Sequence, residues 1–281
     1  MRLSRFLQGT ADLGRADVEM LSREYDLPLE TAALMMLSAS LGLDTEQPED
    51  RMLEEQYLAP GFRLLSPDSY LSDAYRQQIR FPDRADGGWA FVTKSVKPYE
   101  VFVRDDLVIT DDGREIPQIG AFPNGFSYPA VLQDGREWMT LAPVEIETMR
   151  EPIRSAHGHV LTFGLGMGYY AYHVSSKTDV ADLTIVERDP ALIRLFSDYL
   201  LPQFPGRSKI EIAEIDAFDY LDRQFDPGQF DSIFCDIWHD VGDGVNLYLR
   251  FKHYEKRYGI SMKYWIEGLL KQAVRIMGMS V

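Results

Sequence analysis

The chain has 281 residues, is 45% hydrophobic and 12% aromatic, and carries 44 acids against 29 Lys and Arg for a formal net charge of −15. That is enough apolar material for one large domain or two smaller ones, while the acidic balance repels phosphate backbones and argues against a nucleic-acid partner. The single cysteine, Cys235, excludes an internal disulfide, no Cys/His spacing suggests zinc, no metal is expected, and no apolar run is long enough to cross a membrane.

Residues 1–88 read as a helical and mixed region. The opening MRLSRFLQGTADLG lacks a long apolar core, so no signal peptide is expected and the protein is expected to be soluble and cytoplasmic. Val18, Leu21 and Tyr25 share one helical face, and Leu34, Leu37 and Leu41 repeat that spacing, with Pro28 near the start and Gly42 at the stop. Two short helices around Leu27-Pro28 have the outline of a helix-turn-helix but no basic recognition face, so a helical cap or a homodimer contact is the expected use. Asp73–Ile79 reads as a short helix.

Residues 89–142 change character. Trp89–Thr93, Glu100–Arg104 and Leu107–Thr110 concentrate β-formers, and Tyr128–Gln133 and Arg136–Leu141 flank Asp134-Gly135, which favours a tight hairpin. A small antiparallel β unit is predicted. Residues 143–281 then read as one α/β domain. It opens with a helix over 143–155, where Pro143 suits the first turn and Ile146, Met149 and Ile153 share a face.

The centre of that domain is HVLTFGLGMGYYAY, residues 159–172. Val160–Phe163 reads as a buried strand, Gly164-Leu165-Gly166-Met167-Gly168 as a tight turn, and a helix opens at about Tyr169. Glycines there let the backbone turn sharply and let a ligand approach without meeting a Cβ. Leu183–Val186 is a second strand ending at Glu187, followed by Arg188. A carboxylate about 20 residues after such a turn suits a ribose hydroxyl pair. Ile210–Ala213 is a third strand, followed by Asp216-Ala217, and Phe230–Cys235 a fourth, ending at Asp236. Four strands, each ending in a glycine turn or a carboxylate, predict a Rossmann-like, mostly parallel sheet with those groups along one rim, where open α/β sheets bind ligands.

Over about Met139–Arg257 the chain resembles the class I S-adenosylmethionine-dependent methyltransferases. The resemblance implies S-adenosyl-L-methionine as cofactor, with Gly164, Gly166 and Gly168 at its methionine part, Glu187 at the ribose and Asp216 at the adenine amino group; Phe163, Met167, Arg188, Ala217 and Asp236 are further cofactor-binding candidates. Thr162 stands where members often carry an acid. The segment FDSIFCDIWHDVGDGVNLYLRFKHYEKR is similar to spermidine synthases, whose catalytic Asp would match Asp236, although their glycine turn usually holds an Asp that is absent here.

The loop after Asp236 would line the acceptor site. Asp236 is the first choice for a catalytic carboxylate, and His239 for a general base near neutral pH. Trp238 offers a face for a flat or cationic acceptor, and Asp240 and Glu147 are further acceptor-side candidates. The plainer readings are Trp238 as packing, His239 as a surface loop residue and Glu147 as a solvated side chain. The Asn-Pro-Pro-aromatic run of base-amino methylases is absent; Asp236-Ile237-Trp238-His239 takes its place. After Asp236 the chain reads as two helices, about 246–258 and 262–277, split at Gly259. A fifth parallel strand is not visible, so the sheet reads as truncated, or as completed by strands from 89–141 or by a partner chain. Three readings follow: methyl transfer to a small-molecule acceptor, spermidine synthase-like aminopropyl transfer, and cofactor binding or interaction without catalysis. Oxidised nicotinamide is a minor alternative ligand.

Overall fold

The structure is a computed structural model and describes residues 11–279. The first ten residues, read for a leader, and the last two lie outside the described residues. The chain divides into two compact units that interleave along the sequence. The first runs to Leu71 and adds Lys94–Tyr128 and Ala142–Glu145; the second comprises Ser72–Thr93, Pro129–Leu141 and everything from Ile146.

The first unit is built on the helices Arg15–Glu24 and Leu29–Ser40. The first helix stops at Glu24, and Pro28, at ψ 142°, is the N-cap of the second. Val18, Ala32, Ala33 and Leu37 pack with Phe62, Tyr99 and Ile119 in its core. A three-stranded sheet runs Phe62–Leu64, Ile119–Ala121, Val101–Val103. Its second pair is antiparallel, as the β-rich composition predicts, but Phe62–Leu64 joins in parallel from the helical region.

The second unit carries the glycine turn. In chain order its elements include the hairpin strands β1 (Phe126–Gln133, from Pro129 in this unit) and β2 (Arg136–Thr140), helix α1 (Pro143–Ser155, from Ile146 in this unit), then β3 (Gly158–Phe163), α2 (Tyr169–Ser175), β4 (Val180–Glu187), α3 (Pro190–Leu195), β5 (Ile210–Glu214), α4 (Ala217–Arg223), β6 (Ser232–Cys235), α5 (Val241–Tyr258), β7 (Lys263–Tyr264) and α6 (Glu267–Ile276). Asp134 and Gly135 take φ of +51° and +79°, the left-handed pair that a two-residue hairpin needs.

The sheet order is β5-β4-β3-β6-β7 and every neighbouring pair is parallel. The domain is therefore a Rossmann-like α/β fold. Val160 to Phe163 are all buried, the continuous apolar run of a strand covered on both faces. The chain winds from β3 outward to β5, then returns to β6 and β7 on the other side. The reversal lies between β3 and β6, and it opens a crevice at their carboxyl ends.

One expectation is corrected here. The sheet has a fifth strand, and no strand of 89–141 completes it. Lys263 and Tyr264 pair with Phe234 and Cys235, so residues 262–266 are not helix. A two-residue strand leaves no periodicity to read, and Met262, Trp265 and Ile266 fall at spacings that a helix would also give. Among the described residues no antiparallel pair follows β7, and no helix is long and apolar enough to cross a membrane.

Candidate active site

Register places the rim groups. Phe163 lies opposite both Val186 and Cys235, so the residues that follow them, Gly164, Glu187 and Asp236, leave the sheet side by side. Gly164 takes φ +99°, and a Cβ on it would lie 1.9 Å from the carbonyl oxygen of Asp236. Gly168, at φ +76°, has the Phe196 ring 2.4 Å from where its Cβ would be. At these two positions the glycines serve packing of the turn against its own domain.

Asp236 donates its backbone N–H to the Phe163 carbonyl at 2.9 Å, which ties β6 to β3 at the rim. The residue is half-buried, and desolvation by that burial pushes its carboxyl up to about 7. Such a group is poised to take a proton near neutral pH. Phe163 itself is fully buried, with its ring on Tyr220 and Phe251. Its place in the site is therefore as a support for the turn and Asp236.

Glu187 is held firmly. Its Oε1 accepts from the N–H groups of Arg188 and Asp189 at 2.8 and 2.9 Å, and its Oε2 accepts from Leu165 N–H at 3.2 Å. Burial raises its pKa against these three bonds. A carboxylate has about four acceptor positions, so Glu187 retains room for one ligand hydroxyl, on Oε2, rather than two. Asp216 caps α4: Oδ1 accepts from Phe218 and Asp219 N–H at 2.9 and 3.4 Å. Its Oδ2 is 3.9 Å from the exposed Arg188 guanidinium. Ala217 is buried in the first turn of α4.

The loop after β6 departs from its acceptor-side reading. Trp238 is 3% exposed and packs on Phe251 and Tyr264. Gly244 leaves room for it, since a Cβ there would sit 2.9 Å from the indole. Trp238 is thus a core residue, not an acceptor face; the short loop turns it under the first turn of α5. Asp240 caps α5, accepting from Gly242 N–H at 2.6 Å, while Asp243 reaches back to Asp240 N–H in a capping box. His239 Nε2 donates to the Glu137 carbonyl at 2.5 Å, and its Nδ1 is 3.3 Å from Asp240 Oδ2. Both ring nitrogens face acceptors; with Nε2 donating to the hairpin, a general-base role would fall to Nδ1 and would require Asp240 to turn away from it. Glu147 pairs with Arg150 at 2.6 Å on α1.

The structure adds residues that sequence reading misses. Tyr75, fully buried, donates to the Met167 carbonyl inside the glycine turn. At the start of α2, Tyr169 OH donates to Asp73 Oδ2 at 3.0 Å, and one turn on, His173 Nε2 lies 3.3 Å from the same oxygen. Desolvation alone would push Asp73 up, but the nearby His173 and the hydrogen bonds from Arg76 N–H and Tyr169 OH bring it below the usual carboxylate value. Met139, at the end of the hairpin, accepts from Met167 N–H through its sulfur at 3.3 Å. A shallow polar depression lined by His159, Asp182, Lys209 and Glu211 opens at the amino ends of the strands, away from the rim.

No protein-family model and no curated protein matches the chain. Solved structures match parts of it. Spermidine synthase from Thermotoga maritima is 24% identical over 40% of this chain and 40% of its own, with a TM-score of 0.32. A spermidine synthase in complex with the transition-state analogue AdoDATO is 20% identical over 53% and 55%, with a TM-score of 0.37. A putative O-methyltransferase from Klebsiella pneumoniae is 18% identical over 43% and 61%, with a TM-score of 0.31. The chain thus spans less than two thirds of the length of each of them. Every TM-score is below 0.5, so function rests on the site's own groups and the fold on the parallel sheet.

Proposed function

We propose that the protein is an S-adenosylmethionine-dependent transferase that moves a methyl group to a small-molecule acceptor, with Asp236 taking the acceptor's proton. The observation that carries this is the Asp236 carboxyl, desolvated and raised to about 7, beside the glycine turn where the sheet reverses. The residues present suit the cofactor: Glu187 keeps one acceptor position for a ribose hydroxyl, and Asp216 Oδ2, which the exposed Arg188 guanidinium approaches only to 3.9 Å, can take an exocyclic amino group. The cofactor, when bound, supplies a methyl group already activated on a sulfonium. The chain's own work is then alignment, exclusion of water, and removal of one proton as the new bond to the acceptor forms and the carbon–sulfur bond breaks.

Aminopropyl transfer from a decarboxylated sulfonium would place the same demand on Asp236, because an amine nucleophile also sheds a proton. Calorimetric titration with S-adenosylmethionine, its demethylated product, decarboxylated S-adenosylmethionine and NAD separates the readings. We expect the first two to bind most tightly. Preference for the decarboxylated form would transfer the assignment to aminopropyl transfer. Binding of none by a folded sample would sink the cofactor reading.

A further inference from the structure

Three consecutive residues of strand β2 touch both walls of the crevice. On one side Met139 reaches the glycine turn after β3. Its sulfur stands 2.2 Å from the position a Cβ on Gly166 would occupy, and it accepts the Met167 N–H at 3.3 Å. On the other side, in the loop after β6, His239 donates to the Glu137 carbonyl at 2.5 Å, with its ring 6.0 Å from that of Trp138. The strand therefore lies as a strap across the point where the sheet reverses, which is where an open α/β sheet takes its ligand.

The contact at Gly166 is telling. A glycine at the middle of such a turn admits a close approach to the backbone. Here the group that makes the approach is a thioether of the chain itself, 8% exposed and buried in place. Methionine suits a contact that must be given up. Its side chain is unbranched and flexible, and its sulfur is a weak acceptor, so a ligand oxygen that takes its place on Met167 N–H makes the exchange favourable. β2 is also the last strand of its sheet, paired on one side only, and its register with β1 shifts between Val131 and Leu132. Both features leave it freer to move than an inner strand.

We propose that Met139 is a built-in plug of the glycine turn, carried on the β2 strap, and that it must withdraw from Gly166 and Met167 for the cofactor to bind. The proposal rests on the reading of the rim as a sulfonium-cofactor site. A closed state that excludes the ligand lowers apparent affinity by the fraction of molecules that are open.

The test is calorimetric titration of the full chain with S-adenosylmethionine and its demethylated product, on the wild type, Met139→Ala and Met139→Leu. Methyl-labelled methionine NMR accompanies it, with the Met139 resonance assigned by its loss in Met139→Leu. We expect Met139→Ala to bind about tenfold more tightly or better, Met139→Leu to fall between, and the Met139 methyl resonance of the wild type to shift at saturation. Equal or weaker binding by Met139→Ala, or a Met139 resonance that does not move while the ligand binds, would overturn the plug and leave the cofactor reading standing. Should Met139→Ala fail to fold, the NMR measurement on the wild type decides alone. If no form binds, the cofactor reading fails and the plug falls with it.

Discussion

Gly164 and Asp236 are in backbone contact at the rim: the Cβ that Gly164 lacks would lie 1.9 Å from the Asp236 carbonyl oxygen. The same glycine holds φ at +99°, a conformation that strains any other residue. The turn and the carboxylate are therefore positioned by one another. Gly164→Ala combines left-handed strain with a clash against backbone that cannot rotate away. A loss of about 3 kcal/mol or more is expected, measured by denaturant unfolding. A stability within 1 kcal/mol of wild type, the range of an ordinary surface change, would mean that the two strands' ends are not locked together as described.

Asp236 makes a prediction that separates stability from activity. Its carboxyl is raised from 3.8 to about 7, so the folded state favours the protonated form more than the unfolded state does. The sign follows: this contribution to stability is fully present below about pH 4 and is lost as pH rises to about 7, above which it stays lost. Asp236→Asn stays neutral throughout and escapes that loss, so at pH 8 it should be more stable than wild type by on the order of a few kcal/mol. Turnover should behave the other way. In the wild type it should rise with pH through about 7 as the base ionises, and in Asp236→Asn it should fall by about a hundredfold or more. Thermal melts of both proteins at pH 5 and pH 8 check the first part; a variant that is no more stable at pH 8 would contradict the desolvation.

The rim is legible in the sequence because each strand is a compact apolar run that stops at a chemically distinct residue. Gly164, Glu187, Asp216 and Asp236 all stand where the parallel order puts them at one end of the sheet. What is not legible depends on contacts between residues distant in the chain. Nothing in Arg136–Thr140 marks Met139 as reaching Gly166, and nothing in Ser72–Ile79 marks Asp73 as the acceptor for Tyr169 and His173. Trp238 looks like a surface for an acceptor because it follows Asp236; only Gly244, one helical turn into α5, explains why it can bury instead. The strand Lys263–Tyr264 is too short to show a period, and its pairing with β6 alone defines it.

Asp73 is expected to matter for the turn although it lies on another segment. Its Oδ2 takes Tyr169 OH and faces His173, and its Oδ1 takes Arg76 N–H. These partners hold its pKa below the ordinary value. The stabilisation is present above the unfolded carboxylate pKa and disappears as pH falls through the lower folded value. Asp73→Ala removes the acceptor and leaves the Tyr169 hydroxyl, 3% exposed as a residue, without it. A cost of about 2 kcal/mol is expected at pH 7. Unfolding curves at pH 7 and pH 3 should show the difference between wild type and variant shrinking at the lower pH. A difference that is the same at both would assign the effect to packing instead of charge.

Glu187 offers the clearest separation between holding the turn and holding a ligand. Its carboxylate accepts three backbone N–H groups, from Leu165, Arg188 and Asp189. Glu187→Ala orphans all three and should cost about 2–3 kcal/mol of stability, so weakened ligand binding in that variant would have two causes. Glu187→Gln keeps the shape and one carbonyl oxygen but replaces the other oxygen with an amide that donates. If Oε1 remains the acceptor for Arg188 and Asp189, the amide takes the place of Oε2, where it meets Leu165 N–H and the one open ligand position. The fold should survive with a loss of about 1 kcal/mol, while S-adenosylmethionine affinity should fall by about tenfold through the loss of a charge-assisted hydrogen bond. Chemical denaturation and calorimetry on the same samples provide both numbers. Affinity equal to wild type in Glu187→Gln would take the ribose away from Glu187 and leave it as a brace for the glycine turn.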